Sequence, residues 1–381
     1  MTESGSRRGP LVVRILAVVA IGGLAFGLRW RALERLPIDY EEPWCFEAAD
    51  GLAEVLRSGA PGRLTETNPT PEHPQLAKLL LAAAMLPAAE SPPSPSRGTV
   101  FPGRPGLPEE RLLAARRSSA VLGTLEVLLL AWLHPLAGLL LAIHTYTVKF
   151  TSQAQLEALP AFTSLATVVA YLRFRQTGGK GWLVGSAVLL GLTAAAKYVY
   201  AIVGLVILFD FAFELRSAVR GRLAQVGGIG LWGLGALLVF FAATPYFWPD
   251  PFARLTASVV YLTDFSTGHL EVVKAAFPVW QPLAWLTLYI PNDAPELRPY
   301  LVRIDPLITL LALVGLVALW RRERIWVLWL AIGLVFLLVW QTKWPYYVLI
   351  VTAPLCRAAA EGVGVLVARP LAALRARRGA T

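Results

Sequence analysis

Long apolar stretches separated by short polar clusters make up most of this chain, and several approach the roughly 20 residues that a helix needs to cross a bilayer. The pattern predicts crossings near residues 11–28, 118–133, 135–148, 158–172, 182–196, 198–213, 225–244, 304–320, 325–341 and 345–367, about ten in all. The shortest, 135–148, is opened by Pro135 and runs for only about fourteen residues. A further apolar run begins within "EHPQLAKLLLA" at 72–82; it is too short to span and predicts a re-entrant or interfacial segment. Upstream of it, Trp44, Ala48, Leu52, Val55 and Leu56 recur at spacings of three and four, with Gly59 as a stop. That spacing predicts an amphipathic helix lying on the membrane surface.

Composition agrees on the solvent. With 56% hydrophobic and 16% charged residues over 381 positions, and a mean hydropathy of +0.57, the chain has too little polar surface to coat a soluble globule of this size. The expected fold class is all-α and polytopic. One multi-pass domain covers 1–367, and a basic cytoplasmic tail follows at 368–381.

Basic residues set the orientation, because short cytoplasmic loops are enriched in Lys and Arg. With Arg7 and Arg8 inside, the alternation also places inside Arg173, Arg175 and Lys180, then Arg216, Arg220 and Arg222, then "RRER" at 321–324, then Arg369, Arg375, Arg377 and Arg378. An error of one helix before residue 173 would invert the pattern, so the 135–148 span gains support. Both termini are then cytoplasmic, in a cell membrane. No A-x-A type cleavage site follows the first span; "LRWRALERL" comes instead. Most acids fall on the outer side, with Glu126 inside the membrane and Glu3, Asp210, Glu214, Glu323 and Glu361 at inner ends. The net charge of +10, 35 basic minus 25 acidic residues, is thus an orientation signal and a contact with anionic lipid, not a nucleic-acid footprint. Cys45 and Cys356 fall on opposite faces and cannot pair.

Two long outer loops remain, at 29–117 and 245–303, and the first carries a Pro/Ser/Gly-rich stretch, "AAESPPSPSRGTVFPGRPGLPEE". Asp39, Glu41 and Glu42 stand at the N-terminal end of the predicted surface helix, where the helix dipole stabilises anions. Capping alone would use one of them; three could take a proton or hold a metal ion. His73 and Lys78 sit at the water–lipid boundary, where a cation suits a lipid phosphate, with snorkelling as the alternative for the lysine. Other outer helix ends carry Gln153, Gln155 and Glu157, then Lys197 in a tight turn, then Gln341 and Lys343. Ionisable groups at a membrane edge are functional candidates.

These residues carry a resemblance. An acidic pair after the first span, "HPQLAKLL", "RRSSAVLG", Glu157 in "QLEAL", "GLTAAAKY" and "TKWPYYVLIVTAPL", in this order, resemble the GT-C glycosyltransferases of the protein O-mannosyltransferase type, glycosyltransferase family 39. The resemblance covers most of residues 11–365, and "EHPQLAKLL" is its most specific piece. It implies inverting transfer of a sugar from a polyisoprenyl-phosphate donor to a protein, lipid or glycan acceptor on the outer face. It also implies that Glu41 stands where the family's catalytic aspartate stands, a departure of one methylene, with Asp39 as the fallback base and Glu42 as the second acid of the pair. Gln75 departs from the family's second proline.

Such a reaction needs a carboxylate to deprotonate the acceptor and cations to hold the departing phosphate. The acidic cluster supplies the first; Lys197, Lys343, His73 and Lys78 are candidates for the second, with Glu157 and Glu72 around the acceptor. A divalent metal could bind through Glu42, Glu72, His73 and Glu157, although no spacing demands one. Two other readings stay open. A transporter or flippase would draw on the buried Glu126, but the chain lacks the related halves such machines show. A GT-C-like protein without activity would explain the Glu41 departure.

Overall fold

The computed structural model describes residues 8–93, 106–217, 222–287 and 304–378. Most of the Pro/Ser/Gly-rich stretch, residues 288–303 of the 245–303 loop, Arg7, Arg220 and the end of the basic tail lie outside the described residues. Among the described residues the chain is all-α, with no strand. It has the architecture of a polytopic membrane protein.

Helix α1 (Arg8–Arg35) leads into a short turn and then α2 (Glu42–Arg57) and α3 (Leu76–Met85). After α4 (Glu109–Leu133), the predicted 135–148 crossing turns out to be two short helices, α5 (Pro135–Ile143) and α6 (Thr145–Phe150). The break is at His144, which is extended and accepts from Thr147 N at 3.4 Å through its own ring nitrogen. That starts a new helix instead of continuing the old one. Helices α7 (Ala158–Thr177), α8 (Lys180–Ala196), α9 (Ile202–Ser217) and α10 (Arg222–Ala242) match four predicted spans. The 245–303 loop contributes α11 (Pro251–Gly268), α12 (Leu270–Ala275) and α13 (Gln281–Thr287).

The predicted spans at 304–320 and 325–341 are the two halves of α14 (Asp305–Val339), divided at Glu323, whose φ of −147° and ψ of 67° leave the helical region. Helix α15 (Leu349–Arg378) packs along both. Gly315 and Gly362 make this possible: a Cβ on Gly315 would collide with the carbonyl oxygen of Ala358, and one on Gly362 with that of Leu311. Among the described residues, four helical segments are by themselves long and apolar enough to cross a bilayer: Leu11–Arg35, Tyr198–Arg216, Gln225–Ala242 and Pro345–Ala368. The first and third bury little of their surface in protein, so their apolar faces are left for lipid.

At one end of the bundle Asp210, Glu214, Glu323 and Glu361, the described acids predicted at inner helix ends, are all paired. Arg175 and Arg324 both bind Asp210 and Glu214, and Arg357 binds Glu323 and Glu361. Arg175 and Glu157 lie 18 residues apart along α7 and its start, a separation of roughly 27 Å at 1.5 Å per helical residue. The charge layer and the acidic loops are therefore separated by about a bilayer's hydrocarbon thickness.

Helix α2 packs on α3, burying Ala48, Leu52 and Val55 of the predicted apolar face together with Phe46, Ala49 and Ala53, while Trp44, expected on that face, is 40% exposed. The stop at Gly59 holds, with φ at +69°, a conformation that glycine adopts without strain.

Candidate functional site

None of the three acids at the head of α2 caps it. Glu41 is the N-cap residue by position, yet its side chain makes no capping hydrogen bond. The three diverge instead. Glu42 is fully buried and forms a two-pronged pair with Arg116 of α4, Oε1 to Nε and Oε2 to Nη2, both at 2.6 Å. Its Oε1 also accepts from Ala154 N at 2.7 Å. Arg116 spends its other protons on the carbonyls of Leu33, Leu36 and Pro37. The pair thus binds the end of α1, the start of α2, α4 and the 151–157 segment together. It leaves Glu42 no oxygen facing a substrate or a metal. Asp39 pairs with Lys149 at 2.8 Å.

Glu41 faces a different cluster. Its Oε1 accepts from the Tyr346 hydroxyl at 2.9 Å. Burial raises its pKa to about 7, partly offset by Lys197 and by the Tyr346 hydrogen bond, and assisted by Glu157 and Glu72. A carboxylate in this range exchanges protons near neutrality. Lys197, at the C-terminal end of α8, forms a buried ion pair with Glu157, and its ammonium lies 4.7 Å from the Tyr346 ring centre and 5.3 Å from that of Tyr347. Burial alone would lower its pKa, but Glu157, Tyr347 and the hydrogen bond raise it above the ordinary lysine value. Its charge is therefore secure at neutral pH.

The "EHPQLAK" stretch forms the floor of this corner. Glu72 is half-buried, and burial raises its pKa against the pull of Lys78, Lys197 and His269. The His73 ring is held well below the usual range by burial and then by Lys197 and Lys78, so it is a neutral ring at pH 7 and not the cation expected. Lys78 is also not at the boundary. It is fully buried, and its Nζ donates to Asn68 Oδ1 at 2.6 Å, His73 O at 2.9 Å, Pro69 O at 2.5 Å and Thr70 O at 3.1 Å. It shapes the 68–73 turn and has no proton left for a phosphate. Gln75, where a proline was the family's pattern, donates to Leu64 O and Thr67 O at 2.9 and 2.6 Å and accepts from Tyr246 N at 2.7 Å. It ties the 29–117 loop to the 245–303 loop, a role no proline could fill.

Lys343 caps α14. Its Nζ reaches the carbonyls of Leu338, at 3.2 Å, and Trp340. It borders a small recess lined by Val272, Ala275, Phe277, Gln341 and Trp344. The candidates therefore sort into a group that meets, Glu41, Glu157, Lys197, Glu72 and His73, and four with structural partners, Glu42, Asp39, Lys78 and Lys343. Sequence reasoning missed Tyr346 and Arg116. Both stood in stretches quoted for the resemblance, and an arginine inside an apolar helix was the available signal for the second. Among the described residues no group of three or more His, Cys, Asp or Glu is placed to hold a metal ion. Both cysteines are free and buried. Glu126 is buried beside Arg29, which donates to Thr151 Oγ1 at 2.8 Å.

No protein-family profile matches the chain, and no curated sequence does. A solved structure does: the crystal structure of ArnT from Cupriavidus metallidurans in the apo state, at a TM-score of 0.56 and 15% identity over 94% of this chain. The chain spans 60% of that structure's length. The similarity shows a shared fold: this chain has the all-helical, polytopic architecture of that ArnT structure.

Proposed function

We propose that this protein transfers a glycosyl group from a polyisoprenyl-phosphate sugar to an acceptor hydroxyl at the outer face of the membrane, with inversion, and that Glu41 is the base. The observation that carries this reading is the placement of Glu41, with a pKa near 7, against Tyr346 and next to the Lys197–Glu157 pair. The acceptor oxygen attacks the anomeric carbon while its proton passes to Glu41. The bond from that carbon to the phosphate oxygen breaks, and the lipid phosphate leaves with the electron pair. Lys197 offers a charge that does not titrate near neutrality, and its single carboxylate partner leaves protons for a phosphate oxygen. The GT-C fold of the ArnT structure supports a lipid-linked sugar donor. The transferred sugar is a hexose or a pentose.

In this reading the Glu41 corner faces outward and the arginine layer of Arg175, Arg324 and Arg357 faces the cytoplasm. The test supplies membranes holding the protein with radiolabelled polyprenyl-phosphate sugars and scores which donor is consumed. Consumption of one donor by the wild type and its loss in Glu41→Gln is expected. If no donor is consumed in the presence of broad acceptor mixtures, the reading fails.

A further inference from the structure

The 151–157 segment is buried throughout and is pinned at its middle and its end: Ala154 N donates to Glu42 and Glu157 binds Lys197. Between these anchors sits Gln155, 2% exposed, whose Oε1 and Nε2 both lack a hydrogen-bond partner. Among the described residues it is the only buried amide in that condition; Gln153, two residues before, keeps a bond to Pro37 O at 3.4 Å. A second unpaired group lies nearby. Tyr200 is 1% exposed, its hydroxyl is unpartnered, and it sits within electrostatic reach of Glu157, Glu126 and Tyr347.

Gln155 and Tyr200 flank the ion pair in the chain, one two residues before Glu157 and the other three after Lys197, with Tyr200 N donating to Lys197 O at 3.2 Å. Buried polar groups in folded proteins are almost always hydrogen-bonded, so an unpaired amide and hydroxyl at one corner call for a polar ligand. Their chemistry narrows the class. An amide offers two donors and one acceptor side by side, and a phenol offers one of each. That set suits a ring bearing neighbouring hydroxyls. It does not suit a hydrocarbon tail, which offers no partner, and a phosphate, whose oxygens only accept, would leave the amide oxygen of Gln155 unpaired.

We propose that Gln155 and Tyr200 bind hydroxyl groups of the transferred sugar, and so set donor specificity. This rests on the transferase reading above. Full-length protein in lipid nanodiscs is titrated with bare undecaprenyl phosphate and with a panel of undecaprenyl-phosphate hexoses and pentoses. The wild type should prefer at least one sugar-bearing lipid over the bare carrier. Gln155→Met and Tyr200→Phe should each cut that preference by about tenfold while bare-carrier affinity stays unchanged, the cost of one lost hydrogen bond in a buried site. Tyr200→Phe deletes a single oxygen, so it carries the test even where Gln155→Met fails to fold. An unchanged preference in the folded variants overturns the inference and leaves water as the partner. An equal loss for the bare carrier also overturns it, because the residues would then be structural. A wild type that binds the bare carrier but prefers no sugar overturns the specificity proposal alone; one that binds none of these lipids removes the transferase reading as well.

Discussion

The Tyr346 hydroxyl donates to Glu41 Oε1 at 2.9 Å, joining residues 305 apart in the chain. This one bond connects the head of α2 to the start of the last crossing, and it favours the charged form of the carboxylate it holds. A base is active when deprotonated, so activity should rise with pH through about 7 and fall below it. Tyr346→Phe removes a contribution that lowers the Glu41 pKa, and the acid limb should move to higher pH. Rate profiles of the two proteins check this; coincident limbs would detach Glu41 from the chemistry.

Glu41→Gln should remove most turnover, on the order of 10² to 10⁴ in rate, with donor binding retained, since the amide keeps the size and loses the basicity. Asp39→Asn should matter far less, because Asp39 is paired with Lys149. Single-turnover assays on a confirmed donor separate them, and a dead Asp39 variant beside an active Glu41 variant would exchange their roles.

The three lysines should give different outcomes. Lys197→Met is expected to weaken donor binding strongly. Lys343→Met should leave donor affinity near wild type, because that ammonium is used on the carbonyls ending α14. Lys78→Met should release the 68–73 turn and show as protease sensitivity before any specific loss of phosphate binding. Equal effects of Lys197→Met and Lys343→Met on donor affinity would reject this sorting.

Breaking the Glu42–Arg116 pair from either side leaves an uncompensated buried charge, and Arg116→Met should destabilise the protein by about 3–5 kcal/mol. Replacing both partners by apolar residues should cost less than either single change. Thermal unfolding in detergent measures all three variants. A methyl at Gly315 should be similarly harmful, since it would force α14 and α15 apart at Ala358.

Orientation is testable with the native thiols in place, because Cys45 and Cys356 are buried. An impermeant thiol reagent on intact cells should label Glu54→Cys, exposed on α2, and not Gln176→Cys, exposed at the far end of α7. The reverse pattern would turn the site toward the cytoplasm.

What the sequence determined by itself was the solvent, the helical class and the two polar ends. Lipid demands long apolar helices, and that demand is written locally, residue after residue, so even the division of α14 at Glu323 is legible in "RRER". The meeting of Glu157 with Lys197 was within reach too, since both mark helix ends on one side. Tertiary structure alone decided which acid and which lysine face the site. Glu41 and Glu42 are neighbours, but successive residues of a helical turn point about 100° apart, so one meets Tyr346 and the other meets Arg116, 74 residues away. The lysines look alike in sequence because each stands at the edge of an apolar run. Burial against backbone carbonyls uses up Lys78 and Lys343, whereas a carboxylate and two tyrosine rings hold Lys197 charged with protons to spare. Those partners come from distant segments, and no local pattern records them.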